Sequence, residues 1–297
     1  MRYLADTVNG FLMGAANIIP GVSGGTLALV LGIYERLVAN MRAGAGALAT
    51  LGRGRFREGI ERLGRVEWGF LVPLLIGIGI ATVSLAAILE SALEDHPQKT
   101  AAFFFGLVAG SIVVAWRLVR RWGAGPAAAL VIVALAAFFG LGLRSGEIED
   151  PAIWLFLVAG AVAAIAMILP GISGSFILLM IGIYEGVLGA VNDRDLATLA
   201  VVAAAGIAGL AVFSTLLDYL LRRHHDVVMG ALIGLMLGSL RVLWPWPDGP
   251  DTAVLGAPED WGVPLLLGAV GFAAVLGIGW VARRIERPPV PAHEPAR

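Results

Sequence analysis

The stretch from Pro151 to Tyr184 contains 34 consecutive residues without a charge, and the pair Pro170 and Gly171 lies just past its midpoint. As one α-helix it would be about 51 Å long, whereas the hydrocarbon core of a bilayer is about 30 Å thick. Proline has no amide hydrogen and clashes with the preceding helical turn, and glycine accepts backbone angles that other residues resist. The stretch is therefore predicted to break at the Pro-Gly pair.

The same break occurs twice in the chain. Residues 17–38 read NIIPGVSGGTLALVLGIYERLV, and residues 167–188 read MILPGISGSFILLMIGIYEGVL, with ten identities in 22 positions at an offset of 150. A second pair, GLVAGSIVVAW from Gly106 and GLMLGSLRVLW from Gly234, matches at six of eleven positions. Because Pro, Ser, Tyr and Glu are unusual in lipid-facing helices, the chain is interpreted as a tandem repeat of residues 1–150 and 151–297.

Composition places this repeat in a membrane. Hydrophobic residues make up 58% of the chain, charged residues 14%, and the mean hydropathy is +0.85. Seven long segments with at most one charge begin near Thr7, Trp68, Thr100, Trp122, Pro151, Leu196 and Trp261, and an eighth runs from Val227 to Trp244. These segments leave no room for a soluble domain, so the chain is predicted to be an integral membrane protein.

The arginines predict the topology. The loop 41–67 holds six arginines, which places it in the cytoplasm by the positive-inside rule. Alternating crossings then put the acidic loops near Asp95, Glu149, Asp193 and Asp251 outside and the arginine clusters near Arg121, Arg223 and Arg284 inside, provided that each broken segment returns to its own side. Both termini are then cytoplasmic. The predicted fold is an all-α polytopic membrane protein of two inverted repeats, each a re-entrant helical hairpin (4–40 and 151–189) followed by three transmembrane helices, with a disordered tail from about residue 286.

Inverted repeats with interrupted helices are typical of secondary transporters, in which half-helix amino termini hold an anionic group. The helix breaks are predicted at Pro20, Gly21, Pro170 and Gly171. The returning helices would begin at Gly24 and Gly174, with free amides and a positive dipole end at each start. The candidate anion-binding residues are therefore Ser23, Gly24, Gly25, Thr26, Ser173, Gly174 and Ser175. Ser23 and Ser173 are placed as helix caps or as hydroxyl donors.

Four more polar residues are candidates with two interpretations each. Glu35 and Glu185 follow the breaks by about ten residues, hence about 15 Å along a continuous returning helix. That depth suits either interfacial anchoring or a coupling or gating role. Arg241 either snorkels to the outer surface or catches a phosphate there. Asn17 either satisfies freed backbone amides or contacts the substrate.

Some features are assigned to packing or to the surface. The glycines spaced by four, at Gly106 and Gly110 and at Gly230, Gly234 and Gly238, are predicted to let helices approach closely. Asp218 is predicted to pair with Arg222, and His224 and His225 are predicted to form a solvated cytoplasmic turn. The four histidines fall in predicted loops or in the tail, so no metal site and no cofactor are expected.

The paired NIIPGVSGGTLALVLGIYE and LPGISGSFILLMIGIYE resemble the signature of the PopT family of bacterial polyprenyl-phosphate translocases, and the resemblance covers nearly the whole chain. It implies movement of undecaprenyl phosphate, the lipid carrier of envelope sugars, from the outer to the inner leaflet of the cytoplasmic membrane. The second copy has Ser175 and Phe176 where the first has Gly25 and Thr26, which puts equal roles for the two breaks in doubt.

Two other function classes are compared with this one. A membrane enzyme acting on the same lipid would need a nucleophile with its base or an acidic metal cluster, and Ser23 and Ser173 have no predicted His or Lys partner within the membrane. No enzymatic step and no nucleic-acid partner are expected. A secondary transporter of a small soluble anion shares the whole architecture and remains the alternative to a lipid carrier.

Overall fold

The computed structural model of the chain describes residues 2–19, 22–143, 146, 148, 151–247, 255–258 and 260–286. All regular secondary structure within these residues is α-helical and forms twelve helices. Pro20 and Gly21, two of the four predicted helix breaks, and the tail after Glu286 lie outside the described residues.

The first half of the chain contains seven helices: α1 (Arg2–Ile18), α2 (Gly24–Val30), α3 (Tyr34–Gly52), α4 (Phe56–Leu63), α5 (Trp68–Asp95), α6 (Pro97–Trp116) and α7 (Ala124–Gly140). The second half contains α8 (Ile153–Ile168), α9 (Gly174–Ile181), α10 (Tyr184–Asn192), α11 (Leu196–Ser239) and α12 (Gly262–Glu286). Helix α11 is interrupted at His224, whose φ of −134° and ψ of 43° are not helical. It therefore consists of two helical halves, residues 196–223 and 225–239.

Four of the described helices, α5, α6, α11 and α12, are long and apolar enough to cross a membrane. The bent pair of α9 and α10 would make a fifth candidate if it is one broken span. The prediction of an all-α chain with several apolar spans is confirmed.

The arginine-rich segment 41–67, predicted as a loop, is mostly helical instead. Helix α3 continues to Gly52, and α4 follows after a short turn. Within this segment Glu58 pairs with Arg55 and, at 2.8 Å, with Arg62, both within one helical turn. Opposite charges at this spacing stabilise a helix, which the arginine count alone does not reveal.

Two pairs of helices pack closely and run parallel. In the first half of the chain α1 packs on α5, and in the second half α8 packs on residues 196–223 of α11. The contacts follow the same order along both members of each pair: Tyr3 with Gly69 and Gly14 with Ala81 in the first, Gly160 with Val202 and Ala164 with Gly206 in the second. Glycine is needed at these crossings, since a Cβ added to Gly160 would lie 2.4 Å from the Val202 carbonyl oxygen.

Two further parallel pairs join the halves of the chain. Helix α6 packs on α12, and α7 packs on residues 225–239 of α11. The contacts again keep their order: Gly106 with Gly268 and Val114 with Gly279, then Pro126 with Gly230 and Ala134 with Gly238. A Cβ on Gly106 would lie 1.8 Å from the Gly268 carbonyl oxygen, so the packing role predicted for these spaced glycines is confirmed.

Helix α2 lies at the centre of the molecule. All seven of its residues are buried, although the helix is only about 10 Å long. The main apolar cluster surrounds it and includes Leu27 and Leu29 of α2, Ile168 of α8 and Ile233 of α11. The first motif (residues 20–24, Pro-Gly-Val-Ser-Gly) therefore leads directly into a wholly buried helix.

Candidate functional site

The first motif ends in a capped helix start. Ser23 has an extended backbone, and its Oγ accepts a hydrogen bond of 3.1 Å from the Gly25 amide. The Asn17 Oδ1 accepts one of 2.6 Å from the Gly24 amide. Ser23 therefore acts as the predicted cap, and Asn17 satisfies a freed backbone amide, which is one of its two predicted roles. The first two amides of α2 are thus occupied within the protein.

The glycines of the first motif are needed because other groups approach them. A Cβ on Gly24 would lie 2.9 Å from the Asn17 side chain. A Cβ on Gly25 would lie 2.4 Å from the carbonyl oxygen of Ile168, at the end of α8. The second contact is with backbone and cannot be relieved by a side-chain rotation, so it fixes α2 against the end of α8.

The two motifs meet in the folded chain. The second motif (residues 170–174, Pro-Gly-Ile-Ser-Gly) donates the Gly171 amide to Thr26 Oγ1 at 2.9 Å, where Thr26 is fully buried. The Ser23 Oγ lies 3.4 Å from the Met167 carbonyl oxygen, just before the second motif. Two segments about 150 residues apart in sequence therefore share one buried polar contact.

The second motif differs from the first in its hydrogen bonds. Gly171 has a φ of +86°, which favours glycine, and it packs against Ser239. Ser173 stands at the N-cap position of α9 without making the capping hydrogen bond, because its Oγ pairs at 2.8 Å with the Ser175 Oγ; the other role predicted for it, a hydroxyl donor, stays a prediction. Ser175 is exposed, whereas Gly174 is buried. The position directly after the second motif, Ser175, is therefore exposed, whereas the corresponding Gly25 after the first motif is buried.

Arg241 lies on the turn after α11, close to the second motif. Its neighbour Val242 packs in a small apolar cluster with Ile172 and Phe176. The Arg241 guanidinium carbon lies 4.9 Å from the centre of the Phe138 ring, and the side chain is partly buried. The Arg241 guanidinium thus lies against the end of α7 and Gly142, while the next residue packs on the second motif.

Glu35 and Glu185 do not lie on the returning helices, so the predicted depth of about 15 Å along them is wrong. Helices α2 and α9 end after about two turns, just before Gly32 and Gly182, whose φ values are +74° and +82°. Both glutamates fall in the first turns of the next helices, α3 and α10. The axes of α9 and α10 meet at 110°.

The sequence did carry a signal for this second break. Gly32 and Gly182 are among the ten residues shared by the two motif-containing stretches. A glycine inside a helical pattern indicates a possible helix end, and a duplicated one strengthens that indication.

The two glutamates have different surroundings. Glu35 Oε1 lies 3.0 Å from Nε2 of His225, and His225 Nδ1 lies 3.1 Å from Asp226. The His225 side chain is only 13% exposed, so the predicted solvated turn is wrong at this residue. Glu185 is exposed and has no ion pair within the described part of the chain.

The predicted pairing of Asp218 is confirmed and extended. Arg222 donates to Asp218 Oδ2 at 2.9 Å, and Arg42 of α3 reaches the same oxygen. The Asp218 side chain is 6% exposed, so the two guanidinium groups offset the cost of burying its charge. The pair with Arg42 ties α3 to the first half of α11.

Two apolar grooves lie along α12. One, of about 680 Å³, lies between α1 and α12 and includes Val8, Leu12, Ile278 and Val281. The other, of about 560 Å³, lies between α6 and α12 near the opposite end of α12, beside Trp244, Trp246 and Trp261. Both are open at the surface and are lined almost wholly by apolar side chains, which suits contact with hydrocarbon.

Comparison with known proteins gives a consistent result. The family described as VCA0040-like, Undecaprenyl phosphate translocase-like, matches residues 13–255. A protein of Vibrio cholerae serotype O1 named Polyprenyl-phosphate transporter is 39% identical over 269 residues, which cover 90% of this chain and 85% of that protein. A protein of Staphylococcus aureus with the same name is 29% identical over 298 residues, covering 95% of this chain and 98% of that protein.

No solved structure matches the chain. The family match nevertheless covers both motifs and the helices that hold them together. Together with the apolar helices, it indicates a multi-pass membrane protein. The chain belongs to the Undecaprenyl phosphate translocase-like family.

Proposed function

We propose that this protein carries undecaprenyl phosphate from the outer to the inner leaflet of the bacterial cytoplasmic membrane, so that the lipid carrier is reused. The names of the two relatives support polyprenyl phosphate as the substrate class. Moving the phosphate through hydrocarbon without help costs several kcal/mol or more, because the charge loses its hydration. A polar path for the head group lowers that barrier while the prenyl chain stays in lipid.

The observation that carries this proposal is the contact between the two motifs. The Gly171 amide bonds to Thr26 Oγ1, which joins the second motif to the start of α2 next to the main apolar cluster. Broken backbone in a membrane protein is tolerated where it is buried in protein or lines a polar cavity. The two apolar grooves beside α12 are suited to the prenyl chain, since they open at the surface at opposite ends of that helix.

We infer further that the two halves are inverted repeats, each beginning with a re-entrant hairpin. The packing supports this, because each helix pair has a counterpart. The pair of α1 and α5 corresponds to α8 and residues 196–223, while α6 with α12 corresponds to residues 225–239 with α7. A pseudo-two-fold axis is expected to relate helix pairs of the two halves in this way. Inverted repeats related by such an axis supply two related conformations for alternating access.

In the conformation described here we assign first contact with the phosphate to the second motif. Ser175, directly after this motif, is exposed and its hydroxyl lies 2.8 Å from that of Ser173, while Val242, the residue after Arg241, packs with Ile172 of the motif. The first motif is closed, since Asn17 and Ser23 already bind the Gly24 and Gly25 amides. Engagement of Ser23, Gly24, Gly25 and Thr26 would follow when Asn17 releases the Gly24 amide.

Glu35 and Glu185 are assigned to gating. Glu35 contacts His225 beside the interruption of α11, so its hydrogen bond joins α3 to a point where α11 can bend. Glu185 has no such contact within the described residues, so this gate operates on one side only in this conformation.

The test is reconstitution of the full chain into vesicles that carry polyprenyl phosphate in one leaflet, followed by measurement of its appearance in the other. Wild type is expected to accelerate the transfer. The Gly24→Leu, Gly174→Leu variant should abolish it, because both glycines lie against other groups. A matched control is Gly44→Leu, Gly189→Leu, since a Cβ at either position meets nothing within 4 Å.

Two outcomes would count against the proposal. Transfer at the wild-type rate by the Gly24→Leu, Gly174→Leu variant would remove the motifs from the path. Uptake of inorganic phosphate by the vesicles without any lipid transfer would favour the alternative, a carrier of small soluble anions.

A further inference from the structure

A polar cavity of about 510 Å³ lies between the start of α3, the segment after α6 and the interruption of α11. Its polar lining consists of Tyr34, Glu35, Arg36, Arg117, Arg120 and His225. The arginine distribution assigns this side of the protein to the cytoplasm. The cavity does not include the contact between Thr26 and Gly171. It adjoins the C-terminal end of α2, at Leu29 and Gly32.

Tyr34 is one of the residues that line this cavity, and its hydroxyl is buried without a partner among the described residues. The residue is 2% exposed, and its hydroxyl makes no hydrogen bond with any described residue. Leaving a buried hydroxyl unpaired destabilises a fold, and most buried polar groups are paired for that reason. Packing alone would be served equally well by phenylalanine, so the hydroxyl points to a ligand that it would bind.

Two arginines at the cavity have no acidic partner. Arg117 and Arg120 are exposed, and neither forms an ion pair within the described part of the chain. Their segment is fixed, because the Arg120 and Arg121 amides donate to the Asp226 carboxylate at 2.9 and 3.1 Å. Guanidinium groups carried on a fixed backbone are well suited to bind the oxygens of a phosphate.

The third arginine is held in place by other groups. Arg36 Nε donates to Glu67 at 2.9 Å, and its guanidinium carbon lies 3.9 Å from the centre of the Phe70 ring. The acidic side chain that lines the cavity is Glu35, which is bonded to His225. The lining thus combines three arginines and one hydroxyl with a single carboxylate.

We propose that this cavity binds a phosphate dianion, through the Tyr34 hydroxyl and the Arg117 and Arg120 guanidinium groups. The phosphate is the head group of a prenyl phosphate that has reached the inner leaflet, or free inorganic phosphate. The apolar part of the lining, Leu29, Leu118 and Met229, favours the lipid, since it would accommodate the start of a prenyl chain. The lipid assignment rests on the proposed function, whereas the phosphate site itself does not.

The experiment measures binding to the purified full chain in detergent at constant ionic strength. The probes are inorganic phosphate, farnesyl phosphate and the uncharged farnesol. Tyr34→Phe should weaken binding of the phosphate probes about tenfold, since a hydrogen bond to a charged group is lost. Arg117→Gln with Arg120→Gln should weaken it more, and Glu35→Gln should strengthen it because a repelling charge is removed.

Matched controls are Tyr219→Phe and Arg53→Gln, both at exposed positions outside the cavity, which should bind like wild type. Tyr34→Phe removes only an unpartnered hydroxyl, so its thermal unfolding midpoint should not fall below that of wild type. Any phosphate held at the two motifs is unaffected by these changes, so the difference in affinity isolates the cavity.

Each outcome decides one question. Tighter binding of farnesyl phosphate than of inorganic phosphate, weakened by Tyr34→Phe, supports the site with the lipid head group as its ligand. Equal binding of both, weakened in the same way, supports the site with free phosphate as its ligand. Wild-type affinity in Tyr34→Phe and in the double arginine variant overturns the site. Vesicle transfer measured on the same variants reports separately on the proposed function.

Discussion

The amide of Gly171 donates a hydrogen bond of 2.9 Å to the Oγ1 of Thr26, although the two residues are 145 positions apart in the sequence. The bond is buried, and it is the most direct polar link between the two motifs. Thr26 occupies the position where the second copy has Phe176, which packs in an apolar cluster instead. The difference between the copies therefore has a structural reason: the Thr26 hydroxyl of the first copy accepts the hydrogen bond that the Gly171 amide of the second copy donates.

Replacing Thr26 with Val is expected to destabilise the protein by about 1–3 kcal/mol, because the buried Gly171 amide loses its acceptor while the side-chain shape is kept. Thr26→Ser should retain most of the stability. Thermal unfolding in detergent measures the effect. Thr215→Val serves as the control, since that hydroxyl is exposed and bonds within its own helix. Equal unfolding midpoints for Thr26→Val and wild type would show that the bond contributes nothing.

Gly25→Ala is expected to reduce lipid transfer strongly and to lower stability, because the added methyl group would lie 2.4 Å from the Ile168 carbonyl oxygen. The chain must then move α2 away from the end of α8. Gly44→Ala in α3 is the matched control, since its Cβ meets nothing within 4 Å. It should be neutral or stabilise the protein by about 0.5–1 kcal/mol, as expected for Gly→Ala inside a helix. Vesicle transfer and thermal unfolding both report the difference.

Gly182→Ala is expected to cost about 1–2 kcal/mol, because the residue has a φ of +82° at the end of α9, where an L side chain is strained. Gly182→Asn should cost less, since asparagine tolerates this conformation better than alanine does. The unfolding midpoints of the two variants measure the difference. An alanine variant as stable as the asparagine variant would show that the left-handed backbone at this position does not strain alanine.

The sequence revealed the duplicated breaks because proline and glycine have local backbone effects that do not depend on the fold. It also revealed the close helix packing, since glycines spaced by four leave a smooth face. The pairing of Asp218 with Arg222 followed from their spacing of one helical turn.

The rest depended on contacts between distant segments. Asn17 and Ser23 accept hydrogen bonds from the Gly24 and Gly25 amides, an arrangement that the residue types alone do not predict. The Thr26 contact requires α8 to lie beside α2, which no local pattern indicates. The burial of His225 follows from the packing of α3 against the interruption of α11, and the partner on α3, Glu35, is 190 positions away in the sequence.

The inverted topology predicts a definite labelling pattern. The chain contains no cysteine, so single cysteines can be introduced one at a time without removing any. Cysteines at Asp95 and Asp193 should react with an impermeant reagent from outside intact cells, and those at Arg57 and Arg223 should not. Permeabilised cells provide the control, because all four positions should then react. Labelling of Arg223 from outside would contradict the inverted repeat.

The groove between α1 and α12 gives the last prediction. Gly277 lines this groove, is exposed, and has nothing within 4 Å of an added Cβ, so Gly277→Phe fills the groove without disturbing the backbone. If the prenyl chain occupies the groove during transfer, this variant should slow transfer of undecaprenyl phosphate severalfold while binding inorganic phosphate normally. Gly79→Phe is the control, since Gly79 on α5 is equally open but lies outside the groove. Equal transfer rates for the two phenylalanine variants would mean that the prenyl chain takes another path. A large side chain in the groove would then slow transfer no more than one at an exposed position outside it.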